Sequence, residues 1–107
     1  AARLLLNDGA AFDAVICQND VLARGCIEEL ERNGCRVPQD VAVIGHDNSP
    51  DYVSYAHPLL TSIDDNNEML GRQAALCLLD AIAGHPHHGV ERVPVKLIQR
   101  ESTLPLD

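Results

Sequence analysis

The sequence is poor in aromatic and basic residues. Aromatic residues make up 3% of the 107 residues, Trp is absent, and 8 Lys and Arg face 16 Asp and Glu, for a formal net charge of −8. Nucleic-acid surfaces rely on clustered cations and on aromatic side chains that stack on bases. We therefore expect that this segment alone does not bind DNA and that its core is built from Leu, Val, Ile and Ala.

The sequence also lacks an apolar run long enough to cross a membrane, a basic-then-apolar leader and a C-x-x-C pair. We expect no membrane partner. The chain opens with AARLLL and no initiator Met, and its length allows one sheet. We interpret residues 1–107 as a single-domain fragment of a longer protein. Reduced thiols in a cytoplasmic protein, rather than a disulfide or zinc framework, are favoured for the four cysteines: Cys17, Cys26, Cys35 and Cys77.

Short apolar runs alternate with helical patterns along the chain. This alternation predicts an α/β fold with a mainly parallel sheet and flanking helices. A strand–helix–strand connection is almost always right-handed, so the first two strands are expected to be parallel and adjacent. Pro94 in the last strand indicates an edge position. The predicted strands are residues 12–17, 41–44, 59–63 and 91–99, and the predicted helices are residues 1–6, 21–33, 50–56 and 67–83.

The most informative stretch runs from Arg36 to Ser49, RVPQDVAVIGHDNS. It reads as a turn, a buried strand and then a polar cluster. Two other strand ends carry similar clusters, Gln18-Asn19-Asp20 and Asp64-Asp65. Because ligands bind outside the carboxyl ends of parallel strands, we expect these clusters to line one site. Carboxylates and amides suit a polyhydroxylated ligand.

Helix capping is an equally good explanation for two of these acids, Asp20 and Asp65, because each precedes a helical pattern. Capping also accounts for Asn19. It does not account for Asp47, because no long helix follows that residue. Asp47 is therefore the strongest single candidate for a ligand contact.

Four kinds of catalytic site were compared with the sequence, and none is supported. A phosphate-binding loop needs a Gly-rich turn before a helix, which is absent. Asp47 and Asp65 resemble a glycosidase pair but have no aromatic platform. A Ser49–His46–Asp47 triad is too compact in sequence and lacks G-x-S-x-G. A phosphoacceptor pocket needs a late lysine, and Lys96 lies in the predicted edge strand. We expect no catalytic residue and no enzyme activity.

Two remaining motifs are interpreted without catalysis. His85, His87 and His88 lie in a Gly/Pro turn without other ligands at metal-binding spacing, so a solvated loop is favoured, with no metal and no cofactor. Tyr52 and Tyr55 share one face if they are helical. Because amphipathic aromatic residues are enriched at interface cores, we expect them to contact a partner subunit.

Several blocks, in this order, carry a family resemblance: FDAVICQND, RVPQDVAVIGHDNSP, HPLLTSID, LGRQAA, LLDAIAG and VPVKLIQREST-P. Together they resemble the C-terminal part of LacI/GalR-family bacterial transcription regulators. The resemblance implies a periplasmic-binding-protein-like effector domain with two α/β lobes, of which this chain is most of the C-terminal lobe. A small sugar or nucleobase-type effector binds between the lobes. The resemblance implies effector contacts at Asn19, Asp47 and Asp65, with His46 as a further candidate.

The resemblance also implies a homodimer and a regulatory function. The helix after the N-D pair and the segment after D-N form the family's dimer interface, and DNA is bound only through an N-terminal domain. From this resemblance we expect the chain to be the effector-binding and dimerisation lobe of a cytoplasmic repressor. A lobe of a periplasmic sugar receptor and a small flavodoxin-like enzyme remain as alternatives. Mapped onto this chain, the interface includes Leu22, Cys26, Tyr52 and Tyr55.

Asp65 departs from the family pattern. The family often has Gln or another neutral polar residue at this position. Two acids in one pocket favour a neutral or cationic ligand over an acidic one.

Overall fold

The computed structural model describes residues 2–9, 11–86 and 88–104. Helices and strands alternate along the chain, as predicted. In chain order the elements are α1 (Ala2–Asn7), β1 (Ala14–Ile16), α2 (Asp20–Arg32), β2 (Ala42–His46), α3 (Pro50–Val53), β3 (Thr61–Asp64), α4 (Asn67–Ile82) and β4 (Lys96–Ile98).

The four strands form one sheet in the order β1-β2-β3-β4. β1 and β3 both pair in parallel with β2, with Val15 opposite Val43 and Ile44 opposite Thr61. β4 pairs antiparallel with β3 at the edge, as the proline in its predicted span indicated. The α/β class and the mainly parallel sheet are therefore confirmed.

α2 is the helix that covers the sheet. It begins after Asn19, whose side-chain oxygen accepts a hydrogen bond from the Leu22 amide at 2.9 Å, so the predicted cap is present. Ala23, Ile27 and Leu30 form its inner face and are almost fully buried with the β2 residue Val43 in one core cluster. Burial of each larger aliphatic side chain contributes about 1.5–3 kcal/mol.

The residues that follow β4 are hydrogen-bonded to the sheet. Ser102 is fully buried, donates its hydroxyl to the Val43 carbonyl at 2.6 Å, and accepts from the Thr61 amide at 2.8 Å. Glu101, the residue before Ser102, accepts a hydrogen bond from the Leu59 amide. This bond lowers the pKa of the Glu101 carboxyl group. The polar residues of this tail therefore join β2 to β3.

α4 departs from the sequence prediction in its packing. Its predicted apolar face is present, yet no residue of this helix, all of which is described, is buried. Exposed apolar side chains include Leu70 at 50%, Leu78 at 62% and Ile82 at 74%. The Cα radius of gyration, 18.1 Å, exceeds the roughly 13 Å of a compact domain of this length, because α4 projects from the sheet.

Two smaller predictions about this part of the chain can be compared with the structure. Asn66, not Asp65, directly precedes α4; it has a left-handed conformation (φ 55°) and its side chain makes no capping bond. Asp65 instead pairs with His46, so the capping explanation for Asp65 is wrong. Of the histidine cluster, His85 and His88 are exposed, and His87 lies outside the described residues. No helix in the described ranges is long and apolar enough to cross a bilayer.

Candidate functional site

The carboxyl ends of β2 and β3 bring His46, Asp47 and Asp65 together. The His46 Nδ1 atom lies 3.3 Å from Asp47 Oδ1, and its Nε2 atom lies 3.2 Å from Asp65 Oδ1. All three side chains are partly exposed, with fractions of 39%, 48% and 22%. The imidazole thus bridges two carboxylates at the edge of the sheet where the sequence predicted a site.

The loop after β2 holds Asp47 in an unusual conformation. Asp47 has φ 98° and Asn48 has φ 49°, a region that non-glycine residues seldom occupy. The Asp47 amide donates to the Ile63 carbonyl at 2.9 Å, and the Asn48 amide donates to the Ser62 hydroxyl at 3.1 Å. Such conformations persist only where the surrounding structure supports them, and β3 provides that support here.

The Asn48 side chain is occupied by other protein groups. Its oxygen accepts from Arg100 Nη2 at 2.7 Å and its nitrogen donates to Asp64 at 3.3 Å. Arg100 also donates to the Leu60 carbonyl at 2.8 Å. Asn48 therefore positions the loop, and its neighbour Asp47 is the residue with a side chain turned to the site.

Asp20 has a role that neither capping nor ligand binding describes. It is 1% exposed, and its carboxylate accepts from the Ser49 amide at 2.7 Å and from the Ser62 hydroxyl at 2.6 Å. Because Ser62 also holds the Asn48 amide, Asp20 ties the start of α2 to the loop that carries Asp47. The capping interpretation of Asp20 is wrong. The sequence signal for this role was only an acid next to the cap residue.

The Asn19 side chain bonds to the start of α2 and not to the His46–Asp47–Asp65 cluster. Its carbonyl oxygen caps α2, which leaves the amide nitrogen as the group that it can offer to a ligand. Since β1 and β2 are adjacent and parallel, Asn19 and Asp47 follow strands that end at the same edge. Asn19 therefore follows the neighbouring strand at the same edge of the sheet as the cluster.

The His46–Asp47–Asp65 cluster presents two carboxylates and an imidazole at the sheet edge. His46, Asp47 and Asp65 offer ligand atoms within 4.8 Å of one another, a spacing that can hold a divalent cation, but these atoms already pair with each other. Both ring nitrogens of His46 face carboxylates, so the imidazole is not aimed at the Ser49 hydroxyl as a base would be. The cluster offers acceptors for ligand hydroxyl groups.

The residues predicted to contact a partner subunit are exposed only in part. Leu22 is 53% and Tyr55 is 70% exposed, and Tyr52 is half-buried. Cys26 requires a correction, because it is only 8% exposed and packs in the core cluster. Cys26 falls on the inner face of α2, which packs on the sheet.

Arg24 joins α2 to the segment that carries the two tyrosines. It is 6% exposed and donates to three backbone carbonyls, those of Tyr52 at 2.6 Å, Pro58 at 2.8 Å and Val53 at 3.1 Å. Burial lowers the pKa of its guanidinium group. The segment after β2 is thus fixed to α2 by a charged residue that the sequence analysis did not single out.

Comparison with known proteins gives a consistent result over nearly the whole chain. The family described as a periplasmic binding protein-like domain matches residues 2–103. The HTH-type transcriptional repressor CytR of Escherichia coli is 39% identical over 94 residues, which are 87% of this chain and 27% of that protein. The chain therefore spans less than a third of this relative.

Two solved structures share the fold. A dimeric Lac repressor with a C-terminal deletion superposes with a TM-score of 0.88 at 32% identity, covering 96% of this chain and 38% of that one. The complex of the transcriptional regulator CelR with cellobiose superposes with a TM-score of 0.85 at 37% identity, covering 95% of this chain and 31% of that one.

Proposed function

This chain belongs to the periplasmic binding protein-like domain family, and from that membership we propose that it is the effector-binding and dimerisation lobe of a LacI-type transcription regulator. The observation that carries the proposal is the His46–Asp47–Asp65 cluster at the carboxyl ends of β2 and β3. The relatives named above are described as transcription regulators, which favours a regulator over a transport receptor and over an enzyme.

The proposed ligand is a neutral polyhydroxylated molecule such as a sugar. Asp47 and Asp65 provide carboxylate acceptors on either side of His46, and each carboxylate can accept from two hydroxyl groups. A negatively charged ligand would be repelled by both acids. The solved relative with cellobiose bound supports this class of ligand.

The proposed mechanism is a shift between two arrangements of the complete protein. The effector binds between this lobe and a second lobe, favours one relative arrangement of the two, and so changes binding to the operator. DNA contact is assigned to a domain outside this chain, since the chain carries a net charge of −8. Such a regulator acts in the cytoplasm.

Replacing Asp47 with alanine in the full-length protein is expected to weaken effector binding about 100-fold, because a hydrogen bond to a charged group contributes about 1.5–3 kcal/mol. Calorimetry with a panel of cellobiose, neutral monosaccharides and nucleosides measures this loss. Asp47→Asn should also lose affinity while it retains the left-handed backbone that asparagine tolerates.

Asp51→Ala is the matched control, because Asp51 is an exposed acid in the nearby helix α3. It should bind like the wild type. Equal affinity of the Asp47 variants and the wild type would disprove the role of Asp47. Failure of the wild-type protein to bind any member of the panel would contradict the ligand class.

Replacing Tyr55 with glutamate is expected to shift the full-length protein from dimer toward monomer. A charge in the centre of an interface is left without a partner when the subunits associate, and Tyr55 is 70% exposed in this chain. Sedimentation velocity measures the shift. Gln39→Glu, an exposed position in the turn before β2, should leave the dimer intact. A dimer unaffected by Tyr55→Glu would move the interface away from this segment.

A further inference from the structure

Hydrogen bonds between side chains join the two loops that carry Asp47 and Asp65. Asn48 directly follows Asp47, and its side-chain nitrogen donates to Asp64 Oδ2 at 3.3 Å. Asp64 directly precedes Asp65, and its other oxygen, Oδ1, accepts from the Asn66 amide at 2.9 Å. Each acid of the cluster is therefore one residue away from a member of the Asn48–Asp64 link.

Arg100 holds the Asn48 end of this link. Its Nη2 atom donates to Asn48 Oδ1 at 2.7 Å, and its Nη1 atom donates to the Leu60 carbonyl at 2.8 Å. Its backbone amide donates to the Thr61 hydroxyl at 2.8 Å. Because the donors of a guanidinium group have a fixed planar arrangement, Arg100 holds the Asn48 oxygen at a set position relative to the start of β3.

The loop after β2 depends on such contacts because its backbone is strained. Asp47 has φ 98° and Asn48 has φ 49°, and neighbouring contacts must maintain conformations of this kind. The Asn48 side chain is the part of this loop that bonds to both Arg100 and Asp64. Its bonds therefore set where Asp47 lies relative to Asp65. Ligand-binding groups need a separation that is held within a fraction of an ångström by supporting hydrogen bonds.

We propose that Arg100 is a positioning residue for effector binding, which fixes the separation of the Asp47 and Asp65 carboxylates through Asn48 and Asp64. In this role Arg100 acts through Asn48 and not by contact with the effector. The inference rests on the proposed effector-binding function. The competing explanation is that Arg100 only stabilises the fold.

Calorimetry on the full-length protein tests this role with the panel of cellobiose, neutral monosaccharides and nucleosides. Arg100→Gln is expected to weaken binding of the panel member that the wild type binds by about 10-fold, the effect of one lost hydrogen bond. Asn48→Gly should cause a similar loss, because glycine accepts the left-handed backbone and the bond from Arg100 to Leu60 remains. The losses should not add in the double variant, since both substitutions break the same contact.

Arg92→Gln is the matched control for Arg100→Gln. Arg92 is an exposed arginine in the segment before β4, so its replacement should leave effector affinity at the wild-type value. If Arg100→Gln fails to fold, Asn48→Gly decides the matter, because it keeps Arg100 in place.

Hydrogen exchange measured by mass spectrometry gives a second result that requires no effector. Arg100→Gln and Asn48→Gly should speed exchange in peptides that cover residues 47–49 and 64–66, and peptides from α2 should keep the wild-type rate. Equal acceleration along the whole chain would show that Arg100 only stabilises the fold. Unchanged exchange in both loops, or fully additive losses of affinity, would also overturn the proposal.

The two measurements separate this inference from the proposed function. If the wild type binds no member of the panel but exchange still rises only in the two loops, the ligand class is wrong and the positioning role of Arg100 is supported. If the wild type binds and Arg100→Gln binds equally well, the role of Arg100 is wrong and the effector site stands.

Discussion

Replacement of Gly45 with alanine is expected to destabilise the full-length protein by about 3 kcal/mol. Gly45 is buried in β2, and a Cβ atom there would collide with the Asp20 carboxylate and approach the Leu60 side chain to 3.0 Å. The carboxylate cannot move aside without losing its bonds to the Ser49 amide and the Ser62 hydroxyl. Urea denaturation monitored by circular dichroism measures the loss.

Gly25→Ala is the matched control for this substitution. Gly25 lies inside α2 and an added Cβ would meet nothing within 4 Å, so alanine should leave stability unchanged or raise it by up to about 1 kcal/mol. A second test combines Gly45→Ala with Asp20→Ser, since the shorter side chain removes the collision. The double variant should then lose less stability than the two single variants lose in total. Strict additivity, or a stable Gly45→Ala protein, would refute this account of the contact.

Replacement of Arg24 with methionine should also destabilise the protein by about 3 kcal/mol or more. Methionine fills much of the same volume but leaves three carbonyls, those of Tyr52, Val53 and Pro58, without their donor in a largely buried place. Because these carbonyls belong to the proposed partner segment, dimerisation should weaken as well. Thermal unfolding and sedimentation measure the two effects separately.

Arg32→Met provides the comparison on the same helix. The Arg32 side chain is 68% exposed, and its contacts with Glu28 and Glu29 are both 3.5 Å, a type of surface ion pair worth at most about 1 kcal/mol. Arg24→Lys should fall between the wild type and Arg24→Met, since one ammonium group cannot reach all three carbonyls. Equal stability of Arg24→Met and Arg32→Met would show that the three bonds contribute little.

The local part of the fold was predictable from sequence. The Asn19 cap, the apolar spacing along α2 and the short apolar runs predicted α2 to within a residue and three strands in parallel order, because these signals operate over a few residues. The presence of Asp47 and Asp65 at one edge of the sheet followed from the same pattern, since parallel strands bring their carboxyl ends together.

The supporting contacts were not predictable in the same way. Asp20 meets Ser49 and Ser62, and Ser102 meets Val43, across separations of 29, 42 and 59 residues. A buried serine or aspartate has the same local sequence signature as an exposed one, so only the folded chain shows which of them are satisfied inside. Cys26 was assigned to a partner interface from the family resemblance, which indicates the helix involved but not which of its faces the sheet covers.

α4 is a second case in which the sequence pattern predicts an element but not its packing. Its periodicity correctly predicted a helix with apolar residues, but periodicity contains no information about what lies against them. β3 ends at Asp64, and the backbone leaves the sheet through the left-handed residue Asn66 before α4 begins. The apolar side chains therefore stay exposed although the pattern is that of a covered helix.

Because α4 projects from the sheet, a change in its tilt moves its far end more than its start. Its 16 residues form a rod about 24 Å long that begins two residues after Asp65. A tilt of about 10° at Asn66 moves the far end by about 4 Å, a displacement that follows from the length of the rod alone. For any rotation of α4 about its first residue, the displacement therefore grows with distance from the cluster, and Ile82 at the far end moves most.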